Sequence, residues 1–259
     1  MKRQLLVIPL VLLMTVPPPL FGWNGLGHMA VAYVAYQHLD QTRRDRVAVL
    51  LRRNPDYSKW LTKIPPGTSL KDRRMMLFMI AATWPDQIRN KPGYTDDGTD
   101  DGNRPSGPTS PQNIGYRDHL HHKYWHFANV PFSQDGTALP ETPSPNVQTQ
   151  IDAFRVVLAS DARDSLKSYD LVWLLHLVGD VHQPLHAANR VTASATGGDH
   201  GGNMVKLCAA PCKSQLHGFW DDLLTSSSDP ADALRVAQTL PDADATRATD
   251  LDSETWMRE

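Results

Sequence analysis

Apolar residues recur at helical spacing over 26 to 39, at Met29, Ala30, Tyr33, Val34 and Leu39, and a charged amphipathic stretch follows over 43 to 53. Residues 72 to 83, DRRMMLFMIAAT, predict a buried helix stopped by Pro85. The segments 147 to 160, 164 to 183, 217 to 225, 230 to 240 and 245 to 257 also carry helical rather than alternating patterns. Between 90 and 116 the composition turns to Gly, Pro, Asp and Ser, with too few apolar groups for a core element, which predicts a long surface loop. A second glycine-rich connector runs over 192 to 203, and NMVKL just after it is the best short strand. The fold class expected is mainly α, in a single domain with long surface loops and at most a short β-hairpin.

At 259 residues and 41% hydrophobic content, one sizeable core is available. The first 22 residues pair a basic start, Lys2 and Arg3, with an apolar run from Leu5 to Val16 and a proline-rich break. That is the pattern of a secretory leader, and the run is too short for the roughly 20 residues that span a bilayer. The expected division is a signal peptide over 1 to 22 and one domain over 23 to 259, in a secreted or periplasmic protein. Losing Lys2 and Arg3 takes the formal net charge from −2 to about −4, against a broad basic nucleic-acid-binding face. Cys208 and Cys212, in KLCAAPCKS, are expected to close a local disulfide in an oxidising compartment, since two thiols with no second pair make a weak zinc site.

Candidate chemistry concentrates in HLVGDVHQPLH, residues 176 to 186. A helix brings His176 and Asp180 onto one face, about 5 to 6 Å apart at Cβ, a suitable bite for a divalent cation. HGFWD repeats that spacing with His217 and Asp221. His186, His126 in YWHFAN, Asp86 in TWPDQIR and His28 complete a set of five histidines and three aspartates. Nitrogen and carboxylate ligands suit zinc, and eight are too many for one ion, so the count implies a cluster. Each residue also has an ordinary reading: Asp86 as a helix cap, His126 as a core histidine, His217 with Asp221 as a surface pair. His182 points off the face shared by His176 and Asp180. His119, His121 and His122 crowd beside the long loop and are left out of the set.

In the order WNGLGH (23 to 28), WPD (84 to 86), WHF (125 to 127), HxxxDxxxxxH (176 to 186), GGDHGGN (197 to 203) and HGFWD (217 to 221), the chain resembles the zinc-dependent single-strand-specific nucleases that also act as 3′-nucleotidases. These share a zinc site with zinc-dependent phospholipase C. The resemblance implies a phospholipase C/nuclease-like helical fold and three Zn²⁺ per chain. Asp86, His126, His176 and Asp180 would hold one ion, and His186, His217 and Asp221 a second. His28, Asp180 as a bridge, and the amine and carbonyl of Trp23 would hold the third. Asp86 would also orient the attacking water, making it the catalytic residue, and Phe127 would stack an unpaired base. Asn129 stands where fungal members tend to carry aspartate, which changes the base-edge contact. The implied substrates are single-stranded DNA, RNA and 3′-nucleotides, cut to 5′-phosphorylated products by a monomer with no stable protein partner. SETWMRE, 253 to 259, resembles an internal family segment normally followed by further helix, so the chain reads as a short or truncated member. The rival readings are a phospholipase C, disfavoured by GGDHGGN and by aspartate at 221, and a non-catalytic secreted zinc-binding protein.

Overall fold

The computed structural model describes residues 23–98, 109–209, 214–224, 227–241, 244 and 246–259. The expected signal peptide, most of the DDGTDDGNRPSG loop and Cys212 lie outside the described residues. Eleven α-helices occur among those described: α1 (Gly25–Gln37), α2 (Gln41–Leu51), α3 (Tyr57–Leu61), α4 (Leu70–Ala81), α5 (Trp84–Ile88), α6 (Val147–Ala159), α7 (Asp164–Val181), α8 (Pro184–Ala187), α9 (Leu216–Asp221), α10 (Pro230–Ala237) and α11 (Ser253–Arg258). The mainly helical class is as the sequence predicts. No helix among the described residues is long and apolar enough to cross a membrane.

Local chemistry sets the helix starts. The Asn24 carboxamide accepts from Leu26 N and Gly27 N at 3.1 and 3.2 Å, and Asn146 with Thr149 forms a reciprocal capping box on α6. Pro85 does not merely stop α4. It occupies the first turn of α5, where its missing N–H costs nothing, and so delivers Asp86, the next residue, in that same turn. Likewise α7 ends at Val181, and Pro184 opens α8 with Gln183 accepting from Leu185 N at 2.5 Å.

The core lies around α7, which packs on α6, α1, α2 and α5. Trp173 is its aromatic hub, with ring centroids 5.0 Å from Trp125, 6.5 Å from Trp84 and 5.5 Å from His126. Burying such rings is worth several kcal/mol each, so Trp173→Ala would cost about 3 to 5 kcal/mol.

Two expectations change. The residues 245 to 257 are not one helix: a 3-10 turn, Arg247–Thr249, is followed by a fresh start at Ser253, where Asp252 caps Glu254 N at 3.2 Å. The β-structure is also not a hairpin. β1 (Val130–Ser133) pairs in parallel with β2 (Ala188–Val191), in the register Val130 to Ala188, whereas NMVKL contributes only a Lys206 to Gln215 bridge.

Candidate metal centre

α7 supplies His176 and Asp180 on one face, both fully buried. α1 brings His28 against them, its ring stacked on His176 at 3.7 Å. That approach depends on Gly179, where a Cβ would stand 2.8 Å from His28 Nδ1. α5 brings Asp86, and a 3-10 turn, Lys123–Trp125, ends at His126. α8 and α9 add His186, His217 and Asp221, all buried. The parallel strands fix the His126 and His186 segments to each other: Ala128 N and Asn129 N donate to the His186 carbonyl at 2.8 and 3.2 Å, and His186 Nδ1 lies 2.6 Å from the His126 carbonyl.

The eight side chains converge. His126 Nδ1 and His176 Nε2 lie 2.8 Å apart, 3.0 and 3.1 Å from Asp180 Oδ2, and 3.9 and 3.7 Å from Asp86 Oδ1. A tetrahedral ion with ligand distances of about 2.0 to 2.2 Å separates its ligand atoms by about 3.3 to 3.6 Å, which these distances bracket. On its other oxygen, Asp180 Oδ1 is 3.5 Å from both His28 Nε2 and His186 Nδ1. His217 Nε2 is 3.6 Å from Asp221 Oδ2. Three groups of donors are thereby spaced to hold a cation: Asp86, His126 and His176; His186, His217 and Asp221; His28, His176 and Asp180.

The surrounding hydrogen bonds leave donor atoms directed inward. His176 Nδ1 meets the Ala82 carbonyl at 2.8 Å and His217 Nδ1 the Gly201 carbonyl at 2.7 Å, the arrangement that fixes a ligating histidine's tautomer. Gly201, at φ +60, is obligatory there, because a Cβ would stand 2.2 Å from the Leu185 carbonyl. Gln183 donates to Asp221 Oδ1 at 2.7 Å. Meanwhile both nitrogens of His28, Asp86 Oδ1, His126 Nε2, Asp180 Oδ1 and His186 Nε2 are buried with no hydrogen bond. So many orphaned buried atoms would be costly in a purely structural core, and bound cations would satisfy those that face the cluster. The residues present therefore fit a zinc cluster.

Burial strongly perturbs the titration of these groups. Burial drives the His28 and His126 imidazoles well below their ordinary range and His217 to about 4, so these rings are neutral and ready to ligate. Burial pushes Asp221 up to about 8 and raises Asp86. Burial opposes ionisation of Asp180 too, but His176 and His186 override it and hold the carboxyl well below the carboxylate range.

Other expected residues lie nearby. Asn24 N donates to the Asp221 carbonyl at 3.1 Å, which ties the residue after Trp23 to the α9 pocket. Phe127 is half-buried and packs on the core, and Asn129 is buried at φ +54. His182 is exposed, with Nδ1 2.7 Å from the Val178 carbonyl, outside the cluster as its spacing predicts.

One residue, Arg89, was not singled out in the sequence, and another, His122, was set aside there. Arg89, one turn beyond Asp86, places Nε 3.7 Å from Asp86 Oδ1 with its side chain almost wholly buried. Its signal was the i, i+3 spacing within WPDQIR. His122 is a structural post: it stacks on Trp125 at 3.6 Å, with ring nitrogens 2.9 Å from Asp97 and from Asp118. Burial opposes its charge, but the two carboxylates prevail and raise its pKa.

The chain matches the S1/P1 nuclease family model over residues 23–259 and belongs to that family. Nuclease S1 of Aspergillus oryzae is 22% identical over 229 residues, covering 86% of this chain and 61% of that protein. Endonuclease 4 of Arabidopsis thaliana is 32% identical over 79 residues, covering 29% and 24%, and Endonuclease 2 of the same plant is 27% identical over 84 residues, covering 32% and 26%. The chain spans less than two thirds of the length of these relatives.

Proposed function

We propose that the protein is a zinc-dependent endonuclease that hydrolyses phosphodiester bonds of single-stranded DNA and RNA to 5′-phosphorylated products and also acts as a 3′-nucleotidase. The observation that carries this reading is the position of Asp180: its two carboxylate oxygens face different donor groups within one buried cluster of imidazoles and carboxylates. In this reading Asp86, His126, His176 and Asp180 hold one zinc, and His186, His217 and Asp221 a second. His28, Asp180 and the Trp23 amine and carbonyl hold a third. Bound zinc supplies an activated water near neutral pH and positive charge against the phosphate.

The chain's own groups then do the following. Asp86 orients the water and takes its proton as the new O–P bond forms; the P–O3′ bond breaks, and the departing O3′ takes up a proton from solvent, leaving a 3′-hydroxyl and a 5′-phosphate. Arg89, 3.7 Å from Asp86, would add fixed positive charge beside a phosphate bound there. Phe127, with Asn129 close by, stacks an unpaired base, which accounts for single-strand preference without a basic face. A leader over 1 to 22, secretion and a Cys208–Cys212 disulfide complete the reading, and the family match beginning at residue 23 supports the leader.

The test is a side-by-side assay of zinc-loaded protein on denatured DNA, RNA and phosphatidylcholine, with elemental analysis of the same preparation. Cleavage of both nucleic acids, with about three zincs per chain, is expected. Cleavage of phosphatidylcholine alone would identify a phospholipase C, and no hydrolysis with tight zinc would identify a binding protein.

A further inference from the structure

A cleft of about 220 Å³ opens against Asp86 from the side of α1 and α4. Met29 and Ile80 line it as an apolar surface, and Lys63, Gln87 and Asn90 add polar groups. The polar groups have capacity to spare. Gln87 Nε2 is committed to Thr83 Oγ1 at 2.6 Å, which leaves its carbonyl oxygen, and the Asn90 side chain is exposed. Lys63 is half-buried and makes no ion pair among the described residues. Burial, and next the nearby Lys59, pull its ammonium below the ordinary range, a cost that an anion at this point would relieve. An apolar surface with a few convergent polar groups and one cation suits a nucleoside followed by a phosphate.

The geometry points to this cleft as a second nucleoside subsite, one that receives the nucleoside retained on the phosphate while Lys63 meets the next phosphate of the strand. This rests on the nuclease reading above. A water held at Asp86 attacks phosphorus with the departing O3′ on the far side, so the leaving nucleoside lies away from Asp86. The ester oxygen that stays on phosphorus projects sideways, and the cleft bordering Asp86 is where its nucleoside finds an apolar wall and amide groups. A 3′-mononucleotide has only the leaving nucleoside and does not use the cleft. An oligonucleotide uses both sides.

The experiment compares kcat/KM on a short oligothymidylate with kcat/KM on adenosine 3′-monophosphate, for zinc-loaded wild type, Lys63→Glu and Asn90→Trp. Asn90 is exposed, so the tryptophan plugs the mouth without disturbing the core. Melting temperature and zinc content are measured alongside. In both variants the ratio of oligonucleotide to mononucleotide kcat/KM is expected to fall about tenfold. A ratio within about twofold of wild type, whether both rates hold or both fall together, overturns the subsite. Wild-type protein that hydrolyses neither substrate overturns the nuclease reading itself, a result distinct from a preserved ratio.

Discussion

Gly179 lies directly beneath the His28 imidazole, so close that a methyl group in place of its hydrogen would stand 2.8 Å from Nδ1. The imidazole cannot retreat, because His176 is stacked on it at 3.7 Å. Gly179→Ala is therefore expected to displace His28, at a cost of about 1 to 3 kcal/mol in stability. Zinc analysis beside thermal melting should show the loss of about one ion, that of the His28 group. Full zinc content with unchanged melting would mean that His28 is not a ligand.

Asp180 and Asp86 are expected to separate metal binding from chemistry. Asp180 faces four imidazoles through its two oxygens, so Asp180→Asn should release more than one zinc and abolish activity. Asp86→Asn should retain most of the metal and lose about a hundredfold or more in kcat, because a water-orienting base is removed. Equal zinc loss in both variants would contradict this division.

Phe127 is placed to separate substrate binding from packing. Its loss as a stacking surface should raise KM on single strands about ten- to a hundredfold with zinc content intact, since stacking is worth about 1 to 3 kcal/mol per base. Because the ring is half-buried against the core, Phe127→Ala should also lower the melting temperature. Earlier melting with an unchanged KM would confine Phe127 to a structural role.

Asp170 gives a pH signature away from the metal ligands. Burial pushes its carboxyl up to about 7, although Asn113 Nδ2 donates to it at 2.8 Å. The folded chain thus keeps a proton that the unfolded chain loses near 3.8, so stability falls as pH rises from about 4 to about 7 and levels off above. Asp170→Asn cannot ionise. Its stability relative to wild type is expected to grow across that window, reaching on the order of a few kcal/mol at pH 8. Denaturant midpoints of both proteins at several pH values check this, and a difference independent of pH would show that Asp170 titrates normally.

The four-residue spacings His176/Asp180 and His217/Asp221 were legible because a single helix turn fixes them whatever surrounds it. Asp86 was legible as a candidate, but not as the product of a new helix, since Pro85 reads equally as a stop and as a start. The β1/β2 pairing was hidden: VPFS and ANRV are too short to show alternation, and their register depends on carbonyls of the ligand segments themselves. His122 read as one of three histidines crowded beside the long loop because Asp97, one of its two anchors, lies 25 residues back along the chain. The break before α11 did carry a signal, Asp252 followed by Ser253 and Glu254, which the apolar periodicity masked.

The cluster draws on residues from His28 to Asp221, so nearly every helix between them belongs to a loop that a bound cation would close. His126 and His186 alone are 60 residues apart, and closing a flexible loop of that length costs about 3 to 4 kcal/mol of chain entropy. A cation shared among these ligands is thus a non-covalent cross-link through the middle of the molecule. With metal bound as proposed, resistance to proteolysis would be set by how fast the metal leaves, and the centre proposed for the chemistry would also be the fastener that keeps the chain closed.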